Sequence, residues 1–303
     1  MKIRRPFKIK RLHFLAAIAI GASLGIGLHA ASAQPAAPPV SAEQAAKIVA
    51  SPDRSDADRI NDRRRKPEAM LVFIGIRPGI IALDLSAGGG YTTELLARTI
   101  GPSGAVYGQS RPRDPNRPPP RPAAPEGNSN PTAGTAAPTP APAAAPPASP
   151  RLSPVALADR NDKLKSAGVA VAPITAVSRP FEDPVPPELA DGRFDLVTLM
   201  FNYHDLGFLN VDRAKMNQAA FRALKPGGFY VIADHAGRPG TGISESGTLH
   251  RIEEAFLHKE VEAAGFKLVA EGNFLRNPND PRDKNTPDPP QPKDEFVLKF
   301  VKP

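Results

Sequence analysis

The sequence predicts an α/β domain: a mostly parallel sheet of seven strands, covered by helices on both faces, with the last strand antiparallel. Three observations carry this reading. Short runs rich in Val, Ile, Leu and Phe alternate with helical patterns through residues 80–303, as parallel strands buried on both faces do. The first strand runs into three consecutive glycines and then a helix, "IIALDLSAGGGYTTELLA" at 80–97. The last two strands, "FKLVAEG" and "DEFVLKFVKP", have no helical pattern between them, so they pair antiparallel.

The elements follow in chain order. Ser41 starts a helix, because "SAEQ" places a glutamine three residues after a capping serine. "RSDADRINDRRRK" is a polar, exposed helix whose run Arg63, Arg64, Arg65, Lys66 is a solvated face, and "PEAMLVFIGI" is an apolar helix with Pro67 in its first turn. "IIALDLS" is a strand, "YTTELLARTI" a helix closed by Gly101, and "GAVYGQS" a strand. "SPVALADRNDKLKSAG" restarts as a helix, capped by Ser153 with Pro154 first inside it. "VAVAPI" and "FDLVTLMF" are strands, "VDRAKMNQAAFRAL" a helix, "KPGG" a turn and "FYVIADH" a strand. "LHRIEEAFLHKEVEAAG" is a helix with Leu249, Ile252 and Phe256 on one stripe, ended by Gly265.

Residues 1–33 read as a signal peptide. "MKIRRPFKIKRLH" is basic, "FLAAIAIGASLGIGL" is apolar, and "ASAQ" offers an A-x-A cleavage site after Ala33. The apolar run is too short to span a bilayer comfortably. The expected location is periplasmic or secreted, with no stable membrane anchor after cleavage. Arg4 and Arg5 ahead of Phe7 fit the twin-arginine route, and an ordinary secretory signal fits as well. Residues 34–40, "QPAAPPV", form a linker, and 41–303 form a single domain interrupted at 111–152 by a Pro/Ala-rich insertion. Of the 37 prolines, fifteen fall within 111–154. That composition buries too little apolar surface to offset the entropy of ordering, so the insertion is predicted to be disordered.

Charge divides along the same lines. The net charge is +8, but the leader holds six Lys/Arg and no acid, so its removal leaves +2. Residues 111–151 hold five Arg against two acids, which leaves the rest near −1. The basic character belongs to leader and insertion, and no nucleic-acid footprint is predicted. The absence of cysteine excludes disulfides, thiolate metal sites and a lipid anchor on Cys.

In such sheets, ligands sit at the carboxyl ends of the strands, where the strand order reverses. The small residues Ser86, Ala87, Gly88, Gly89 and Gly90 let main chain approach a ligand that side chains would block, and Asp84 can accept hydrogen bonds from an amine. The dinucleotide pattern is not met: Gly88 and Gly90 are followed by Thr93 where a third glycine is needed, and no acid ends the second strand. This excludes a dehydrogenase.

"LDLSAGGGYTTELLA", "FDLVTLMFNYHDL" and "ALKPGGFYVIADH", in that order and spacing, resemble the motifs of class I S-adenosylmethionine-dependent methyltransferases. With "SPDRSDADRINDRRRKPEAMLVFIGIRPG" and "TLHRIE", the chain resembles more narrowly a bacterial group of exported predicted methyltransferases. The resemblance implies a Rossmann-like fold and S-adenosyl-L-methionine as cofactor. It places the 86–90 loop against the methionine part, Asp84 near the amine, Gln109 at the ribose, and Phe181 with Glu182 beside the adenine. Ser86 stands where the first motif glycine is usual, and Gln109 where a carboxylate is usual.

Methyl transfer needs two reactants held in line, and a hydroxyl or ammonium acceptor must also lose a proton. Three histidines fall on the ligand side: His204 in "FNYHDL", His235 in "ADHAGRPG" and His250 at the opening of a helix. His235 leads as the base, with "GRPGTG" behind it as a lid. A loop hydrogen bond to Asp205 accounts equally for His204, and a pair with Glu254 for His250. Asn202 and Tyr203 are placed at the transfer site, Tyr203 facing the sulfonium through its ring, and Arg251 as the anchor for an acidic group. "NYHD" is not the N-P-P-Y type motif, so a small-molecule acceptor is expected and nucleic acid is not. The acids Asp205 and Asp234 with these histidines are metal-ligand types, but no H-x-x-x-H or H-E-x-x-H spacing occurs, and no metal is predicted.

Two functions remain open: an exported small-molecule methyltransferase, and a non-catalytic binding protein that keeps this fold or takes another adenosine-like ligand. The second draws on the puzzle that the methyl donor is made in the cytoplasm. The insertion provides a first test. Deleting 112–150 leaves the melting temperature unchanged if that segment is unstructured; a large fall shows that it is part of the fold.

Overall fold

The computed structural model describes residue 1 and residues 37–113, 153–285, 287 and 291–303. The expected leader, the start of the linker and most of the insertion lie outside these residues. Helices α1 (Ala42–Val49), α2 (Asp56–Arg65) and α3 (Pro67–Ile74) precede the first strand. Then come β1 (Ile81–Leu85), α4 (Tyr91–Ile100), β2 (Ala105–Ser110), α5 (Ser153–Ser166), β3 (Ile174–Ser178) and β4 (Phe194–Met200). The remainder is α6 (Tyr203–Phe208), α7 (Arg213–Ala223), β5 (Leu224–His235), α8 (Glu254–Ala263), β6 (Lys267–Gly272) and β7 (Glu295–Val301). Among the described residues, no helix is long and apolar enough to cross a membrane.

The seven strands form one sheet in the order β3-β2-β1-β4-β5-β7-β6. The ladders from β3 through to β5 are parallel, and β7 runs antiparallel to both β5 and β6. This is a Rossmann-like sheet whose order reverses between β1 and β4. Strand residues alternate between two cores. Ala82, Leu196 and Val231 pack with α1, α3, α4 and α5, while Leu83, Val197 and Ile232 pack with α6 to α8. Helices therefore cover both faces.

Local chemistry explains the boundaries. Ser41 accepts from the Gln44 N–H while the Gln44 side chain accepts from the Ser41 N–H, a complete capping box. Three expectations are corrected and one element is added. β3 begins at Ile174 rather than Val169, because Pro173 has no N–H for the ladder and contributes only its carbonyl, to Val106. α8 begins at Glu254 rather than Leu249, because Ile252 is held extended by a donor to His235 O and an acceptor from Gly237 N. "KPGG" lies inside a long β5 with a register shift against β4, not in a free turn. "YHDLGF" forms α6, which the sequence patterning does not reveal.

α5, which follows the insertion, seats against the glycine loop. A Cβ on Gly108 would lie 2.5 Å from Leu157 Cδ1 and 3.1 Å from Ala87 Cβ. Gly108→Ala is therefore expected to destabilise the protein by about 1–3 kcal/mol through overpacking. A melting temperature equal to the parent's would show that α5 is not seated there.

Candidate functional site

The turn between β1 and α4 runs through left-handed backbone. Ser86 has φ +56°, Gly88 +53° and Gly90 +81°. Ser86, at the expected glycine position, thus takes a conformation that glycine adopts freely and serine rarely does. Gln109 holds it there. Its Oε1 accepts from the Ser86 N–H at 3.1 Å, its Nε2 donates to Arg179 O at 2.7 Å, and its carbonyl accepts from the Ala87 N–H at 2.8 Å. A carboxylate at 109 would have no proton for the Arg179 carbonyl, so the amide is the group that satisfies this position.

Beyond the turn opens a cleft of about 600 Å³. Its floor and near wall are Asp84, Ser86, Ala87, Gly88 and Gly89, with Asn202 at one margin. A Cβ on Gly89 would meet nothing within 4 Å. Asp84 is buried and accepts from Thr93 Oγ1 at 2.6 Å and Thr198 Oγ1 at 2.8 Å. Burial pushes its carboxyl up to about 6, against the pull of the two hydroxyls.

The far wall is one that the sequence patterning misses. α2, expected to be a solvated helix, lines the cleft through Ala57, Asp58, Ile60, Asn61 and Arg65, and α5 adds Arg160. Arg160 binds Asp58 through both terminal nitrogens at 2.7 and 2.8 Å, reaches Glu94 at 2.5 Å and donates to Gly89 O at 2.5 Å. Arg54 pairs with Asp62 at 2.7 and 2.8 Å, and Tyr91 Oη donates to Asp62 at 2.7 Å. Tyr91 packs against the core and also lines the cleft beneath Arg65, whose guanidinium carbon lies 5.1 Å from the ring centroid. The signal available in sequence was the alternation of acids and arginines in "RSDADRINDRRRK", but their partners lie up to 102 positions away.

Several expected site residues lie elsewhere. Gln109 is fully buried with both side-chain polar atoms on backbone, so it braces the turn rather than facing a ribose. Phe181 is buried in the core under α6 to α8, and Glu182 accepts from the Asp212 N–H at the start of α7. Gly90 packs beneath Leu157 and Arg160. Tyr203 is fully buried in the same core as Phe181, its hydroxyl donating to Glu260 at 2.9 Å and accepting from Asn217 at 2.8 Å, so its ring faces no cleft. Arg251 is also fully buried, bridging Asp280 at 2.8 Å and Ala236 O at 2.9 Å. It braces the loop after β5 and offers no charge to a ligand.

The three histidines do gather, with His204 ring centroids 5.2 Å from His235 and 5.6 Å from His250. Their environments differ. His235 is enclosed, its Nδ1 2.9 Å from Glu295 Oε1 but off the line of a hydrogen bond. Burial holds it well below its usual range, so it is a poor proton acceptor, contrary to its leading place in the sequence reading. His204 sits between Asp234 at Nδ1 (2.6 Å) and Asp205 at Nε2 (3.1 Å). Burial lowers its basicity, but the Asp234 and Asp205 carboxylates together win and raise it, which favours the imidazolium and removes it as a base. His250 has φ +52° and an exposed ring edge, with Nδ1 3.1 Å from Asp205 Oδ1 rather than paired with Glu254. Asn202 joins this rim to the loop: its Oδ1 accepts from Ser86 Oγ at 2.5 Å, and its Nδ2 donates to Asp205 Oδ2 at 2.7 Å.

No protein-family model matches the sequence, and no curated protein matches it. The fold is similar to solved structures at low identity. A SAM-dependent methyltransferase from Aquifex aeolicus shares 16% identity over 82% of this chain and 100% of its own, with a TM-score of 0.48. A TehB-like SAM-dependent methyltransferase from Corynebacterium glutamicum shares 16% over 82% and 98%, with a TM-score of 0.42. An arsenic(III) S-adenosylmethionine methyltransferase from Chlamydomonas reinhardtii shares 16% over 74% and 63%, with a TM-score of 0.45. At these identities the likeness concerns the fold.

Asp84 yields a pH prediction. Its folded value near 6 lies above the unfolded carboxylate value, so the folded state binds the extra proton between about pH 4 and 6. Its contribution to stability is greatest below pH 4, falls as pH rises through 6, and then stays low. Asp84→Asn is expected to be more stable than the parent at pH 8 by roughly 2–3 kcal/mol and to converge with it near pH 4. Urea denaturation at both pH values checks this; parallel pH profiles would overturn it.

Proposed function

We propose that this chain is an exported S-adenosylmethionine-dependent methyltransferase acting on a small-molecule acceptor. The observation that carries the reading is the cleft at the β1/β4 reversal, floored by bare main chain at 86–89 with the buried Asp84 carboxylate at its base. The leader-like first 33 residues support export.

The fit is good at one end. Asp84 accepts from the Thr93 and Thr198 hydroxyls, and a carboxylate with about four lone-pair sites has acceptor capacity left for an ammonium group. Gly88 and Gly89 leave the approach open, and Arg160 holds Gly89 in place from behind. At the other end, the nucleoside partners named by resemblance are withdrawn, and Asp58, Asn61, Arg65 and Arg160 line the wall instead. When bound, S-adenosylmethionine supplies an electrophilic methyl group. The protein's part is to orient it through Asp84 and the loop, to exclude water beneath α2, and to receive the acceptor at the His204–Asp205–His250 rim beyond Asn202. The withdrawn Gln109 is also what favours the second reading, a binding protein that takes a different amine-bearing ligand in the same cleft.

Calorimetry separates the two. S-adenosylmethionine, or its demethylated product, is expected to bind the purified protein. Gly89→Val, whose side chain enters open space without backbone strain, is expected to weaken binding at least tenfold while the melting temperature holds. No heat at millimolar ligand would move the assignment to the second reading.

A further inference from the structure

The rim proposed to receive the acceptor holds three side chains close enough together to share an ion. His204, Asp205 and His250 each offer a ligand atom, and these atoms lie within 4.8 Å of one another. Asp205 Oδ1 stands 3.1 Å from His204 Nε2 and 3.1 Å from His250 Nδ1. Ligand atoms bound at about 2.1 Å to one ion are spaced roughly 3.0–3.4 Å apart, so two of the three edges already match. The third, from His204 to His250, is no longer than 4.8 Å, and the His250 side chain on it has an exposed edge.

Two further contacts fit the same purpose. Asp234 lies on the far nitrogen of His204, at 2.6 Å from Nδ1, and its other oxygen accepts from the His204 N–H at 2.8 Å. This carboxylate keeps a proton on Nδ1, so an ion at the cluster would bind Nε2 by displacing the second proton of the imidazolium, as happens at metal-bound histidines backed by carboxylates. Asn202 occupies Asp205 Oδ2, which leaves Oδ1 as the oxygen facing both rings. The four residues come from three places in the sequence: the end of β5, the start of α6 and the segment before α8. This explains why no spacing motif announced them.

We propose that His204, Asp205 and His250 bind a divalent first-row transition ion at the rim of the cleft, with Asp234 as the positioning residue behind His204. Two imidazoles and one carboxylate suit Zn²⁺, Co²⁺, Ni²⁺ or Fe²⁺ over Mg²⁺ or Ca²⁺. Three protein ligands leave coordination positions on the solvent side, where Asp205 and His250 are partly exposed. An oxygen or nitrogen donor of a small acceptor fits there, one asparagine side chain away from the glycine loop. The role as acceptor site rests on the methyltransferase reading; the binding of the ion does not.

The test uses tag-free full-length protein stripped with a chelator and dialysed against Zn²⁺, with bound metal measured by elemental analysis. About one Zn²⁺ per chain is expected. His250→Ala and Asp205→Asn should each weaken binding at least tenfold, and Asp234→Asn by about 10–100-fold. His258→Ala, on the far part of α8 beside Glu262, should leave it unchanged. His250 has an exposed edge, so its replacement should keep the metal-free melting temperature, and it remains decisive should a buried variant fail to fold. Sub-stoichiometric metal, or equal affinity in the parent, His250→Ala and Asp205→Asn proteins, would overturn the proposal. S-adenosylmethionine titrated into the same stripped protein reports on the methyltransferase reading separately.

Discussion

One buried amide organises the ligand side of this molecule. Gln109, next to last in β2, ties that strand to two other segments: the turn after β1 through Ser86 N and Ala87 N, and the loop after β3 through Arg179 O. A buried amide with donor and acceptor both engaged contributes to stability, whereas an unpaired one would cost about 1–3 kcal/mol. The partners also set geometry. Ser86 is held at φ +56° by these bonds, and the cleft floor exists because the chain turns there without raising a side chain over it. Where an acid would grip a ligand, this protein has a brace.

The opposite wall is built from charge. Asp58 and Glu94 meet Arg160, Asp62 meets Arg54, and Asp53 meets Arg98. Most of these groups are largely buried, so their desolvation offsets much of the attraction, and their value lies in fixing α2 over the cleft rather than in net stability. Arg160 connects both walls, because the same guanidinium that binds Asp58 also holds the Gly89 carbonyl. The segment after the insertion is therefore part of the cleft wall.

Left-handed backbone occurs at the site, and also away from it at Lys66, Asn210 and Arg282. Among the described residues, the non-glycine positions with left-handed backbone include Ser86, Phe201 and His250. Ser86 borders the glycine turn, Phe201 lies in the cleft wall, and His250 stands at the rim. Such conformations cost free energy and persist where the surroundings over-determine them, which is commonest at functional sites. Phe201 also separates the cleft from the histidine cluster, with its ring centroid 5.8 Å from that of His235 and 4.9 Å from the Arg65 guanidinium carbon.

Hydrophobic periodicity in the sequence determined the seven strands, most of the helices, the antiparallel end of the sheet and the location of the glycine turn, because each of these depends on residues within a few positions of one another. That Asp84, Ser86 and Gly88 stand together at the end of the first strand was legible for the same reason. Partners distant in sequence were not legible. Whether Arg251 meets a ligand or Asp280, whether Tyr203 faces the cleft or Glu260, and whether α2 is solvated or a wall are settled by what folds against each of them. The histidines show both halves of the lesson: their common rim followed from strand-end positions, while their separate roles followed from carboxylates supplied by other elements. Burial and charge set the chemistry of a side chain, and both are properties of the assembled fold.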